Sequence, residues 1–461
     1  MSSSGQSSSP ETPQGVYHAP WEKAFARITS PLEEFIHSQA TTGLLLMAMA
    51  SLALVLANSG LADEYEAVKH LYAGFSIGSW DLRLSLQHWV NDGLMALFFF
   101  VVGLELKREM LVGELASPRQ AILPIIAALG GMVVPALIYT AFNYGSAGAL
   151  GWGVPMATDI AFAIGILVLL GDRIPRALVT FLIALAIVDD LGAVVVIALF
   201  YTENIAVSWL LPAALILGLL IILNLAGIRR TTPYFLLAVL LWYTLLQSGV
   251  HATLAGVLGA FTVPARAKYD PAVFSAHVKR LLVNFDTSYQ QKQNIMLNSD
   301  LHAITQTLQN GILRVQPSLL RLEHAWHLPV AFLVIPVFAL FNAGIPIAIG
   351  SLAEVLSHPV TLGVGAGLVV GKFVGITGAS WLTLKLGLAQ LPATVRFSQI
   401  AGVSLLGGIG FTMAIFIAEL AFVQQPDVLL MAKTGILLAS LAAGVSGLIW
   451  LYLCAPKAGT E

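Results

Sequence analysis

Charge is what this 461-residue chain has least of: Asp, Glu, Lys and Arg make up 10% of it, against about a quarter in an average soluble domain. A composition so poor in charge excludes an ordinary soluble fold. The formal net charge is −2 and no basic stripe stands out, so nucleic acid is not an expected partner. A single cysteine, Cys454, excludes an internal disulfide. No strand precedes the glycine-rich stretches, which excludes a nucleotide-binding loop, and no cofactor is called for. The opening MSSSGQSSSPETPQG lacks the basic-then-apolar order of a signal peptide. Residues 1–37 therefore read as a disordered tail, and the first span as an uncleaved signal anchor.

What is abundant is apolar surface. Hydrophobic residues form 57% of the chain and the mean hydropathy is +0.83. About 20 apolar residues cross the hydrocarbon core, and twelve runs qualify: near 40–60, 90–110, 121–143, 151–170, 177–201, 207–226, 233–248, 250–264, 326–345, 360–384, 395–420 and 430–453. The fold class is an all-α membrane protein, with spans 1–8 in 38–264, a loop at 265–321, spans 9–12 in 322–453 and a tail at 454–461. Lys and Arg are retained on the cytoplasmic side. They concentrate in the N-terminal tail and the even-numbered connections, as Lys23 and Arg27, then Lys107, Arg108 and Arg119, Arg173 and Arg176, Arg229 and Arg230, Lys385 and Arg396. Both termini are thus expected in the cytoplasm.

With that orientation, spans 3–5 and 10–12 run in opposite senses and form inverted repeats. The middle span of each triplet is interrupted, by Pro155 in GWGVPMATDIAFAIG and by Gly407, Gly408 and Gly410 in SLLGGIGFTMAIF. Interrupted helices in corresponding positions mark a binding site at the membrane midplane. Gly363, Gly367, Gly371 and Gly375 recur every fourth residue on the tenth span, a stripe suited to close helix packing.

Asp189 and Asp190 lie about a dozen apolar residues from either end of the fifth span. Each such charge costs at least about 2.5–3.5 kcal/mol to insert. Adjacent helical residues point about 100° apart, so the pair cannot share one partner. Desolvated neighbouring carboxylates hold protons tightly, and a small hard cation wants the same oxygens; competition of Na⁺ with H⁺ for one site is antiport. Asp159, after Thr158 in the fourth span, and Lys372 in the tenth also reach the midplane. There they can offset the helix dipoles exposed by the two breaks. Lys372 has a second option: pairing with a membrane Asp and losing a proton when that carboxylate binds Na⁺.

The sequence resembles the NhaA-type Na⁺/H⁺ antiporters. The matching blocks are NDGLMALFFFVVGLELKREM at 91–110, VPMATDIAFAIG at 154–165, IALAIVDDLGAV at 183–194, SGVHATLAGV at 248–257, RLEHAWHLPVAF at 321–332, FALFNAGI at 338–345, GKFVGI at 371–376 and GIGFTMAIFIA at 408–418. That family is itself a standing example of the inverted-repeat architecture. The resemblance implies a twelve-helix homodimer in a bacterial inner membrane, exporting Na⁺ or Li⁺ electrogenically and activated at alkaline pH. It places cation and protons on Asp189 and Asp190, with Asp159, Thr158 and Lys372 supporting the assembly. It also implies a pH-sensing cluster at Glu105, Glu109, Glu323, His324 and His327, for which a solvated rim is the plain alternative. His251 reads as a satisfied histidine at the membrane edge.

Residues 74–87 alternate apolar and polar around Gly78 and Ser79, the pattern of an outer-face hairpin. Paired with a second copy it would form the family's dimer contact; alone it would cap the bundle. The 265–321 loop is longer than the family leads one to expect and holds two weakly amphipathic stretches, VKRLLVNF and HAITQTLQNGILRV. Three other readings compete. An intramembrane aspartyl protease would carry its two aspartates on different helices, within YD and GxGD motifs, whereas here they are adjacent and no span holds either motif. A Na⁺-coupled symporter would hold Na⁺ with mostly neutral groups. A passive channel would need no protonation site.

Overall fold

The computed structural model describes residues 39–77, 80–202, 205–267, 269–289, 298–346, 352–392 and 394–454. The expected N-terminal tail, and the C-terminal tail after Cys454, lie outside them. Lipid leaves backbone polar groups no outside partner, so the apolar runs close their hydrogen bonds within helices. In chain order these are α1 (Gln39–Ala57), α2 (Ala62–Lys69), α3 (Leu86–Val112), α4 (Pro118–Asn143), α5 (Ile160–Leu169), α6 (Arg176–Phe200), α7 (Val207–Leu225), α8 (Thr231–Ser248) and α9 (Leu254–Thr262). They continue with α10 (Pro271–Tyr289), α11 (Ser299–Val315), α12 (Ser318–Asn342), α13 (Leu352–Ser357), α14 (Pro359–Lys385), α15 (Phe397–Leu406), α16 (Phe411–Ala421) and α17 (Pro426–Cys454).

Seven of these, α3, α4, α6, α7, α12, α14 and α17, are each long and apolar enough to cross a membrane, and three bent pairs raise the number to ten. The remaining two expected spans correspond to α8 and α9. The latter has only nine residues, a rise of about 13.5 Å, so the run expected at 250–264 is helical over less than half a bilayer's thickness. α8 stops at Gly249, whose φ of 79° is left-handed, a conformation that favours glycine.

Two bent pairs form the interruptions. In the first, a 3₁₀ segment over Ala147–Met156 meets α5 at 44°; in the second, α15 meets α16 at 47°. Pro155 supplies no N–H to continue the first, and Gly407, Gly408 and Gly410 weaken the helix at the second. The two breaks touch: the Asp159 amide donates to the Ile409 carbonyl at 2.6 Å, and Thr158 Oγ1 donates to the Gly407 carbonyl at 2.8 Å.

The glycine stripe of α14 serves packing. A Cβ on Gly375 would overlap the carbonyl oxygen of Gly130 on α4, and one on Gly130 would overlap that of Gly375. Gly371 lies against Pro135, and Gly367 against Pro155 of the interrupted segment. A π-helical turn over Gly367–Gly371 leads directly into Lys372; the extra residue per turn re-aims the side chains beyond it.

The expected hairpin at 74–87 corresponds to antiparallel strands β1 (Tyr72–Ile77) and β2 (Trp80–Ser85), with Tyr72 opposite Ser85. Its turn residues, Gly78 and Ser79, lie outside the described residues, and 86–87 belong to α3. Trp89 Nε1 donates to the Ala73 carbonyl at 2.9 Å, tying the hairpin to α3. The 265–321 loop folds into α10 and α11, which pack with Phe274 against Gly311, and it ends before 321 because α12 begins at Ser318.

Candidate functional site

The centre of the bundle collects the charges that the apolar runs should not contain. Asp189 and Asp190 sit midway along α6, Asp159 and Thr158 in the first break and Lys372 on α14, and none is more than 2% exposed. Lys372 Nζ lies 2.6 Å from Asp189 Oδ2 and donates to Thr158 Oγ1 at 3.0 Å. Thr158 Oγ1 in turn donates to the Gly407 carbonyl. One ammonium is thereby linked to α6 directly and, through a single hydroxyl, to both breaks.

Asp159 faces the other way. Its Oδ1 accepts from the Phe162 amide at 3.0 Å, capping α5. Its Oδ2 accepts from the Thr412 amide at 3.1 Å and the Thr412 hydroxyl at 2.5 Å, in the first turn of α16. One carboxylate therefore faces two positive helix ends, the arrangement that best offsets their dipoles. Thr412 was not singled out in the sequence; a hydroxyl inside GIGFTM carries no signal of a partner 253 residues away.

Asp190 differs from every other charge here. Both of its carboxylate oxygens are buried without a hydrogen-bond partner, as is Oδ1 of Asp189. Buried polar atoms are nearly always paired, so three partnerless oxygens on adjacent residues form a donor set of the kind a small hard cation or a proton completes. Among the described residues no group of three or more His, Cys, Asp or Glu could hold a metal, so two carboxylates are what this centre offers.

The five residues of the expected pH-sensing cluster are only partly brought together. His327 Nδ1 is 3.4 Å from Glu105 Oε1. Glu323 Oε1 and Glu109 Oε1 both meet Arg108, at 2.6 and 3.1 Å. His324 is exposed and joins neither pair. Arg108 is the hub, and in the sequence it looked only like an orientation marker at a helix end. Glu323 is buried, with Oε2 partnerless, which a solvated rim would not require. His251 Nε2 lies 2.7 Å from the Tyr201 carbonyl, a satisfied histidine.

Apolar helices broken at their middles surround an ion pair and a partnerless carboxylate, a centre that suits a secondary transporter of small cations. The Na⁺/H⁺ antiporter 1 family model matches residues 33–451, and the chain belongs to that family. It is 56% identical over 432 residues to Na⁺/H⁺ antiporter NhaA 1 of Saccharophagus degradans, covering 94% of this chain and 93% of that one. It is 52% identical over 441 residues to Na⁺/H⁺ antiporter NhaA of Sulfurimonas denitrificans, with 96% and 99% covered, and 47% identical over 442 residues to that of Dichelobacter nodosus, with 96% and 95% covered.

Proposed function

We propose that this chain is an electrogenic Na⁺(Li⁺)/H⁺ antiporter that exports sodium in exchange for protons and so serves pH and sodium homeostasis. The observation that carries the reading is Asp190, a buried carboxylate with no partner on either oxygen, next to an aspartate already held by a lysine. Na⁺ and H⁺ compete for Asp189 and Asp190. When the cation draws on Asp189, Lys372 loses its counter-charge and can surrender a proton; Asp159 and Thr158 keep the broken helices assembled meanwhile. More positive charge moves with the protons than with Na⁺ if Lys372 contributes, and that makes exchange electrogenic. Alternating access results if the two interrupted helices move against the rest of the bundle.

The reading includes twelve spans, counting each bent pair once and adding α8 and α9, with spans 3–5 and 10–12 as inverted repeats. It places the chain in a bacterial inner membrane with both termini cytoplasmic, and pairs two copies through the hairpin. Glu109 and Glu323, joined by Arg108, and Glu105, paired with His327, are the candidates for pH sensing, with His324 at their margin. The test is purified protein in vesicles given a Na⁺ gradient while internal pH is read, with Li⁺ and K⁺ as comparisons. Proton movement driven by Na⁺ is expected; an equal response to all three cations, or none, contradicts the reading.

A further inference from the structure

A cavity of about 600 Å³ opens between α4, α6 and residues 387–392 and 395, ahead of α15. Its walls are built by α4 and α6, and its rim touches the cluster on α3, where the Glu114 amide donates to Glu109 Oε2 at 3.1 Å. Glu114 and Arg119 line it, along with Thr180, and Leu123, Phe181 and Ala184 continue its wall. On α6 the lining residues Ala177, Thr180, Phe181 and Ala184 have i, i+3, i+4, i+7 spacing, one helical face whose next member is Val188, the residue before Asp189.

Beyond this wall lies one apolar layer. Ala127 and Ala128 of α4, Leu185 of α6 and Ile376 of α14 form a small buried cluster, with Phe181 and Val188 packed against it. Phe181 thus belongs to both the cavity wall and the layer. Ile376 is one helical turn from Lys372, and both crowd Gly131: a Cβ there would lie 2.7 Å from Ile376 Cγ1 and 3.7 Å from Lys372 Cδ. Two of the four residues in the layer are alanines, so small side chains form part of what separates the cavity from the ammonium.

We propose that this cavity is a second vestibule, serving protons and not Na⁺, through which water reaches Lys372. Water crossing the alanine layer accepts a proton from the ammonium, leaving neutral lysine and hydronium. The proposal rests on the antiport reading and assigns the proton its own route.

The test uses Thr180→Cys in a Cys454→Ala background, labelled after folding with a small membrane-impermeant thiol reagent that a reductant removes. Labelling is expected from the face bearing Arg119 only, and it should slow exchange about tenfold while the apparent KM for Na⁺ stays within about twofold, a loss of rate without loss of cation binding. Reduction should restore the rate. Wild-type exchange by the labelled protein, no labelling from that face, or a raised Na⁺ KM at unchanged maximal rate each overturns the proposal. Ala177→Cys, one turn away on the same wall, repeats the test independently of Thr180. Unsubstituted protein that folds but exchanges nothing contradicts the antiport reading itself.

Discussion

Lys372 and Asp189 form a fully buried ion pair at 2.6 Å, while Asp190, the next residue on the same helix, has no partner on either oxygen. The two aspartates, indistinguishable in the sequence, should therefore fail in different ways. Asp189→Asn leaves a buried ammonium without its counter-charge, and breaking a buried pair costs about 3–5 kcal/mol. Asp190→Asn removes a carboxylate that makes no hydrogen bond on either oxygen. Both variants are expected to abolish Na⁺-driven proton movement, but only Asp189→Asn should melt well below the parent. Equal melting temperatures would contradict the pairing, and wild-type exchange in either variant would remove that residue from the site.

Asp159→Ala should weaken both interruptions at once. Loss of a helix cap costs roughly 0.5–2 kcal/mol, and this carboxylate accepts from the first turns of α5 and α16 together. Because water can partly replace a charge that only faces helix ends, exchange should fall without vanishing. Thr412→Val removes one of the three bonds and should show a smaller loss of the same kind. Total loss of exchange with unchanged thermal stability would make Asp159 part of the ion site.

The sequence exposed the centre because membrane charges are costly: four ionisable residues in apolar runs could be found by their expense alone. It exposed the breaks because Pro155 and the GGIG run weaken helices wherever they stand. It did not expose the partners. Thr412, Arg108 and the Gly130 and Gly375 contact join residues far apart in the chain, and each has an ordinary local reading as a core hydroxyl, a terminal cation or a packing glycine. The length of α9 was hidden for another reason: apolar composition runs on through 250–253 and 263–264, and hydropathy does not register where the helix itself stops.

Gly375→Val tests the crossing of α14 and α4 directly. The added side chain must overlap the Gly130 carbonyl, a backbone atom that cannot swing away, and Lys372 sits less than one turn along the same helix. Overpacking of this kind costs about 1–3 kcal/mol or more, and the displacement should be felt at the ion pair. Lower thermal stability together with slower exchange is expected. A variant with parental stability would show that the two helices separate more easily than their packing implies.

Deleting residues 75–85 removes most of the hairpin but keeps the Ala73 carbonyl that Trp89 holds. If the hairpin joins two copies, the protein should pass from dimer to monomer in mild detergent. Exchange in vesicles should persist, since every residue of the central site comes from one chain. A dimer that survives the deletion on cross-linking would reassign the hairpin to capping.

Lys372→Arg separates the two roles open to the buried cation. A charge that only holds the assembly must stay ionised through the cycle, and guanidinium does so. A proton carrier must instead be able to lose its charge, which lysine can do when desolvated and arginine cannot. The pocket around Lys372 is fully buried, and its ammonium meets Asp189 and Thr158 as a compact point charge. The larger, planar arginine head should therefore lower thermal stability in either case. The discriminating measurement is charge movement during exchange. If Lys372 carries a transported proton, the variant should still exchange Na⁺ for H⁺ through Asp189 and Asp190, but with one proton fewer per cycle and a weakened or lost response to membrane potential. If the role is purely one of assembly, the rate falls while stoichiometry and voltage response stay as in the parent. A variant with parental electrogenicity removes Lys372 from the proton path and, with it, the need for water to reach it through the cavity between α4 and α6.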